Sequence, residues 1–172
     1  MGSNGSICLV TLDGTDCPIQ EPSNFNKAWW SHKFNGPAVR YEIAVCIQTG
    51  WIMWVNGPYP AGEWPDARIA RDILIYMLDR NEKVMADGTY SDGNLFFVTP
   101  DGTNSPRQYM MKKCRARHET INGRIKKWRI LSSPFRHRLK NHGSVFKAIA
   151  NIEQLVIEHE VSAFHVEYYD RF

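Results

Sequence analysis

Asp13, Asp87 and Glu119 are the residues whose types and surroundings best suit metal chemistry. Carboxylates are hard oxygen donors suited to magnesium or manganese, and a pair of such ions stabilises both the attacking and leaving oxygens of a phosphodiester displacement. Asp13 and Asp87 each follow an apolar, strand-like run, and ligand-binding groups gather at the strand ends of open α/β sheets. Both continue as Asp-Gly-Thr, which is also common turn chemistry, and Asp101-Gly102-Thr103 repeats the triplet in a loop-like stretch. Glu119 is set apart by its neighbours. On a helix it shares a face with Arg115, Asn122 and Lys126, at i, i+4, i+7 and i+11 from Arg115. The alternative to a ligand role is an exposed ion pair with Arg115, worth under ~1 kcal/mol.

The surroundings of Glu119 are strongly cationic although the net charge is only +3. Thirteen of the 21 Lys and Arg residues fall between Arg107 and Lys147: Arg107, Lys112, Lys113, Arg115, Arg117, Arg124, Lys126, Lys127, Arg129, Arg136, Arg138, Lys140 and Lys147. Glu119 alone opposes them. Solvated helix faces usually mix both signs, whereas a single-sign stretch produces the field that attracts phosphodiester backbones. Nucleic acid is the expected partner, with Arg115, Arg117, Arg124, Lys126, Lys127 and Arg129 as the candidate contacts. A merely soluble basic surface is the competing reading.

The elements that would position these residues follow from pattern. Ser6 to Leu12 is a continuous apolar and β-branched run, expected of a central strand that ends at Asp13. After an irregular, Trp-rich stretch, Val39–Gln48 and Trp51–Asn56 read as strands joined by a two-residue Thr49-Gly50 turn. Gly57 to Gly62 is expected to be irregular, and Pro65 to open a helix with Ile69, Ile73, Leu74, Met77 and Leu78 on its apolar face. Lys83 to Ala86 and Leu95 to Thr99 are short strands. Ser105 and Pro106 start a helix whose stripe carries Cys114, Ile121, Ile125 and Trp128, stopped by Ser132-Ser133-Pro134. A last helix covers Ser144 to His159. Strands followed by alternating strands and helices predict one α/β layered domain with a core over residues 6–160 and no internal repeat.

Composition excludes several classes. A hydrophobic share of 43% and charged share of 23% over 172 residues describe an ordinary globular domain. No apolar run approaches the ~18 residues of a membrane span, and the first residues lack a secretory pattern. Cys8, Cys17, Cys46 and Cys114 form no Cys-x-x-Cys pair and read as free thiols in apolar surroundings. His118-Glu119 begins like a zinc-protease helix, but position 122 is Asn where the second histidine would stand. Asp16 is a weaker candidate than Asp13, being expected beyond the strand, and Asp66 and Asp72 suit the capping of a helix start. Trp128 is expected in the core, while Trp29 and Trp30 are the tryptophans better placed for stacking on a base.

With these residues in view, Leu12 to Ile19, Ala86 to Tyr90, and Arg117-His118-Glu119 with Asn122, Ile125, Lys126 and Trp128 resemble the three signatures of Harbinger-like DDE superfamily endonucleases, the catalytic domains of transposases. Gly62 to Arg71 is similar to the Gly, Asp and Arg motif between the first two. The likeness runs from about Ile7 to Ile157. It implies a ribonuclease H-like fold, a mixed sheet flanked by helices, in which Asp13, Asp87 and Glu119 hold two Mg2+ or Mn2+ ions. It further implies DNA hydrolysis by metal-activated water, with strand transfer from the freed 3′ hydroxyl in a full transposase. Such endonucleases usually carry an N-terminal helical DNA-binding domain, expected to be absent from these residues; a separate Myb-like DNA-binding protein is the implied partner, and the nucleus is the implied location. Gly-Thr between Asp87 and Tyr90 only approximates the second signature, so a catalytically silent, domesticated DNA-binding module is the alternative.

Overall fold

The computed structural model describes residues 7–23, 26–93, 95–161 and 163–167. Ser6, expected to open the first strand, and the side chain of Asp66 lie outside this description. The strands are β1 (Ile7–Pro18), β2 (Trp30–Ser31), β3 (Gly36–Cys46), β4 (Ile52–Pro60), β5 (Glu82–Met85) and β6 (Phe97–Val98). The helices are α1 (Asp66–Asp72), α2 (Pro106–Lys127), α3 (Arg129–Ser132) and α4 (His142–His159).

One six-stranded sheet runs in the order β2-β3-β1-β5-β6, with β4 also paired to β3. It is mixed: β3 lies antiparallel to β1 and β4, while β5 lies parallel to β1 and β6 parallel to β5. Because successive strand residues face opposite sides, the sheet builds two cores. On one side Cys17, Val39, Tyr41, Ile43 and Val45 pack against Ile121 and Ile125 of α2 and Phe146, Ile149 and Ile157 of α4. On the other, Leu12, Ala44 and Val84 pack against Ala70 of α1, Leu74 and Tyr90. A smaller cluster joins Cys8, Ile47 and Met85 to Met111 and Cys114 of α2.

Several boundaries differ from the sequence expectation. β1 continues six residues past Leu12, because its extension pairs with β3 from Asp13↔Ile43 to Pro18↔Ala38. β4 likewise runs through the Gly57-Pro58-Tyr59-Pro60 stretch, held at Val39↔Pro60 and Arg40↔Tyr59. The β3–β4 connection spans residues 47–51 and not two residues. The helix expected from Pro65 onward stops at Asp72 and yields to a 3₁₀ turn at Leu74–Met77; Leu74 reaches the core but Met77 stays exposed. Trp128 caps α2 at the surface, its indole N–H donating to Glu153 Oε1 at 2.6 Å. Gly62 sits where a Cβ would meet the backbone oxygens of Lys27 at 2.3 Å and Trp30 at 2.8 Å, so close backbone approach accounts for glycine there.

Candidate active site

β1 sorts its own acids by parity. Thr11, Asp13 and Cys17 face α2 and α4, whereas Leu12 and Asp16 face the α1 side. Asp16 lies within the strand, contrary to expectation, and is fully buried; its carboxylate accepts hydrogen bonds from Arg40 Nε at 2.7 Å, Arg40 Nη2 at 3.0 Å and Ser31 Oγ at 2.6 Å. Burial alone would raise this carboxyl, but the bonds from Arg40 and Ser31 and the charges of Arg40 and Lys33 outweigh it and hold Asp16 below the usual range. Asp16 is thereby a structural acid joining β1 to β3.

Asp13 faces α2. Its Oδ2 accepts from Asn122 Nδ2 at 3.0 Å, and its Oδ1 accepts from Gly14 N at 2.8 Å. One rung below, Thr11 Oγ1 and His118 Nδ1 lie 2.8 Å apart. The two rungs fit by geometry: two strand residues rise about 6.6 Å and four helical residues about 6 Å, so Thr11/Asp13 and His118/Asn122 stay in step. Asn122, expected on the polar face of α2, is buried, and among the described residues its Oδ1 and the Nε2 of His118 have no hydrogen-bond partner. Burial lowers the His118 pKa to about 3 despite the opposing bond with Thr11, leaving the ring neutral near neutral pH.

Asp87 arrives from the neighbouring strand. The parallel register pairs Val10 with Val84 and Thr11 with Met85, and two further residues bring position 87 level with position 13. Asp87, Asp13 and Glu119 line one small cleft of about 20 Å³ with Thr11, Arg115 and His118. That volume holds about one water-sized sphere. Asp87 caps its own turn, its Oδ1 accepting from Thr89 N at 2.8 Å and Thr89 Oγ1 at 2.5 Å, and Glu119 is exposed. Among the described residues, no three His, Cys, Asp or Glu side chains are drawn together closely enough to enclose an ion. The donor set itself fits a hard divalent cation, since three carboxylates, from β1, the turn after β5 and α2, border one cleft.

The cationic candidates divide. Arg115 borders the cleft, Lys126 is half-buried, and Lys127 and Arg129 are exposed. Arg124 Nη1 donates to Val161 O at 2.7 Å. Arg117 is a correction: it is 2% exposed, with Nε donating to Phe164 O at 2.8 Å and Nη1 to Ile47 O, so it secures the β3–β4 connection and the C-terminal segment and is not available to DNA. Its place on α2 explains the inversion, because one turn from Cys114 and Ile121 the helix already faces the core. Sequence reading also passed over the joint work of His118 and Asn122. Their i, i+4 spacing opposite Thr11 and Asp13 is the available signal, legible once α2 is known to lie along β1.

A mixed α/β domain thus borders one cleft with Asp13 of β1, Asp87 just past β5, and Arg115 and Glu119 of α2. The chain matches the family model described as DDE superfamily endonuclease over residues 12–154, a span that includes all three acids, and it belongs to that family. The family is one of nucleases acting on DNA and typically dependent on divalent metals. No curated protein matches the chain.

Proposed function

We propose that the protein is a metal-dependent DNA endonuclease, the catalytic core of a Harbinger-like transposase with a ribonuclease H-like fold. The observation that carries this reading is the convergence of Asp13, Asp87 and Glu119 on one cleft within the family-matched span. In the two-metal scheme, Asp13, Asp87 and Glu119 would hold Mg2+ or Mn2+, which when bound would supply Lewis acidity toward water and the leaving oxygen. The chain's own residues do the positioning. Asn122 fixes the Asp13 carboxylate, Thr11 fixes the His118 ring, and Arg115 sets a positive charge at the cleft's edge. The exposed cations Lys127 and Arg129 hold the DNA backbone, contacts that position without reading sequence. By the same reading it works in the nucleus, with a Myb-like DNA-binding protein as partner.

Nicking of supercoiled plasmid in Mg2+ or Mn2+ tests this. Asp13→Asn, Asp87→Asn and Glu119→Gln should each reduce nicking by at least ~10²-fold while duplex binding persists. Undiminished nicking by Asp13→Asn or Glu119→Gln would refute the assignment. A second reading, a silent DNA-binding module, is favoured by the use of Asp87 Oδ1 to cap its own turn through Thr89. It predicts duplex binding by the unaltered chain with no metal-dependent nicking at all.

A further inference from the structure

A second cleft, of about 550 Å³, lies beyond the end of α2 and carries no acid in its lining; it is bordered by Arg129, Ile130, Ser133, Phe135, Arg136 and His137. Arg129, Arg136 and His137 are exposed. Among the described residues neither arginine forms an ion pair with an acid. Guanidinium groups present planar, bidentate donors matched to phosphate oxygens. The cleft is far larger than a bare phosphate needs, and Ile130, 37% exposed, adds an apolar wall suited to the face of a sugar.

The floor is fixed to the sheet. Phe135 is buried, bridges Ile19 just past the end of β1, donates its N–H to Pro18 O at 3.0 Å and accepts from Gln20 N at 3.3 Å. The His137 ring stands edge-on to Phe135 at 5.4 Å, and Leu131 anchors α3 in the core. The cations are therefore held on a rigid base. From Asp13 to Ile19 the strand rises roughly 20 Å, about six nucleotide steps of one DNA strand at ~3.4 Å each.

We propose that this cleft docks one phosphodiester of duplex DNA about six nucleotides from the bond presented to the acids, with Arg129 and Arg136 on the phosphate oxygens and Ile130 against the sugar. The proposal rests on the reading of DNA as substrate but not on turnover. The test is duplex affinity by fluorescence anisotropy in EDTA over a salt series, comparing the full chain with Arg129→Gln/Arg136→Gln and with Lys112→Gln/Lys113→Gln. The control pair removes equal charge from exposed positions on α2, and thermal melts establish that each variant folds. The arginine pair, acting on one phosphate, should lower the slope of log affinity against log salt by about 0.9 and weaken binding ~10-fold or more near 0.1 M salt, against less than ~3-fold for the lysine pair. Equal losses in both pairs, or none in the arginine pair, would overturn the cleft. So would loss of polyglutamate binding with duplex affinity unchanged, which marks an acidic-peptide site. Cleft-dependent binding by a chain that never nicks overturns the nuclease reading alone; intact nicking with affinity insensitive to the arginine pair overturns the cleft alone.

Discussion

Asn122 illustrates how one side chain can matter without being a ligand. Its amide donates to Asp13 Oδ2, and its other polar atom, Oδ1, is buried with no hydrogen-bond partner among the described residues. A carboxylate held by a neighbour keeps one orientation, and such supporting contacts typically carry 10- to 100-fold in metal affinity or activity. Asn122→Ala should therefore raise the Mn2+ concentration needed for half-maximal nicking by roughly 10-fold or more, with duplex affinity in EDTA unchanged. A metal requirement within about 2-fold of the unaltered chain would sink the positioning role. Arg117 makes the opposite case at the same scale: a cation chosen by charge for the DNA face works instead as an internal strut between backbone carbonyls.

At the level of elements, β1 acts as the organiser. Its odd residues carry the Asp13 side of the candidate site and its even residues carry the Asp16–Arg40 pair to β3. Asp16 was legible as an acid near a strand, but its role depends on pairing with Arg40, which sequence cannot place opposite it. Since the folded pKa of Asp16 lies below its ordinary 3.8, the pair's stabilisation is fully present above that value and fades as pH falls through the lower folded value. Acid unfolding followed by circular dichroism should steepen below about pH 4 in the unaltered chain. Asp16→Asn should be less stable at pH 7 by ~3–5 kcal/mol, because Arg40 loses its buried partner, and should lack that acid-dependent decline. An unchanged acid limb in the variant would count against the pair.

For the molecule as a whole, α4 is tied to the sheet by a buried His142 that meets Tyr41 OH through Nδ1 at 2.7 Å, while Tyr41 stacks on Phe146 with ring centroids 3.7 Å apart. Burial lowers the His142 pKa from 6.5 to about 4. An unfolded chain binds this proton more readily than the folded one, so stability is complete above 6.5 and declines as pH falls toward 4. Urea midpoints at pH 7.5, 5.5 and 4.5 should fall in that order, and His142→Gln should flatten the decline while being less stable at pH 7.5. Parallel curves for both proteins would show that His142 does not set the pH response. His118, lowered from 6.5 to about 3, titrates through the same window, so His142→Gln removes part of the decline and leaves the remainder.

Sequence alone determined the chemistry available to this chain: three acids in order, a cationic stretch opposed only by Glu119, the Ser105-Pro106 helix start and the alternation that made an α/β domain legible. These are local properties of residue type and period. Tertiary structure decided which groups meet. The β1–β5 register brings Asp87 level with Asp13 across a long intervening stretch, strand parity turns Asp16 away from Asp13, and the lie of α2 along β1 buries Asn122 and Arg117 while leaving Glu119 at the surface. Those outcomes depend on hydrogen-bond pairing and packing between distant segments, and no property of the segments read singly contains them.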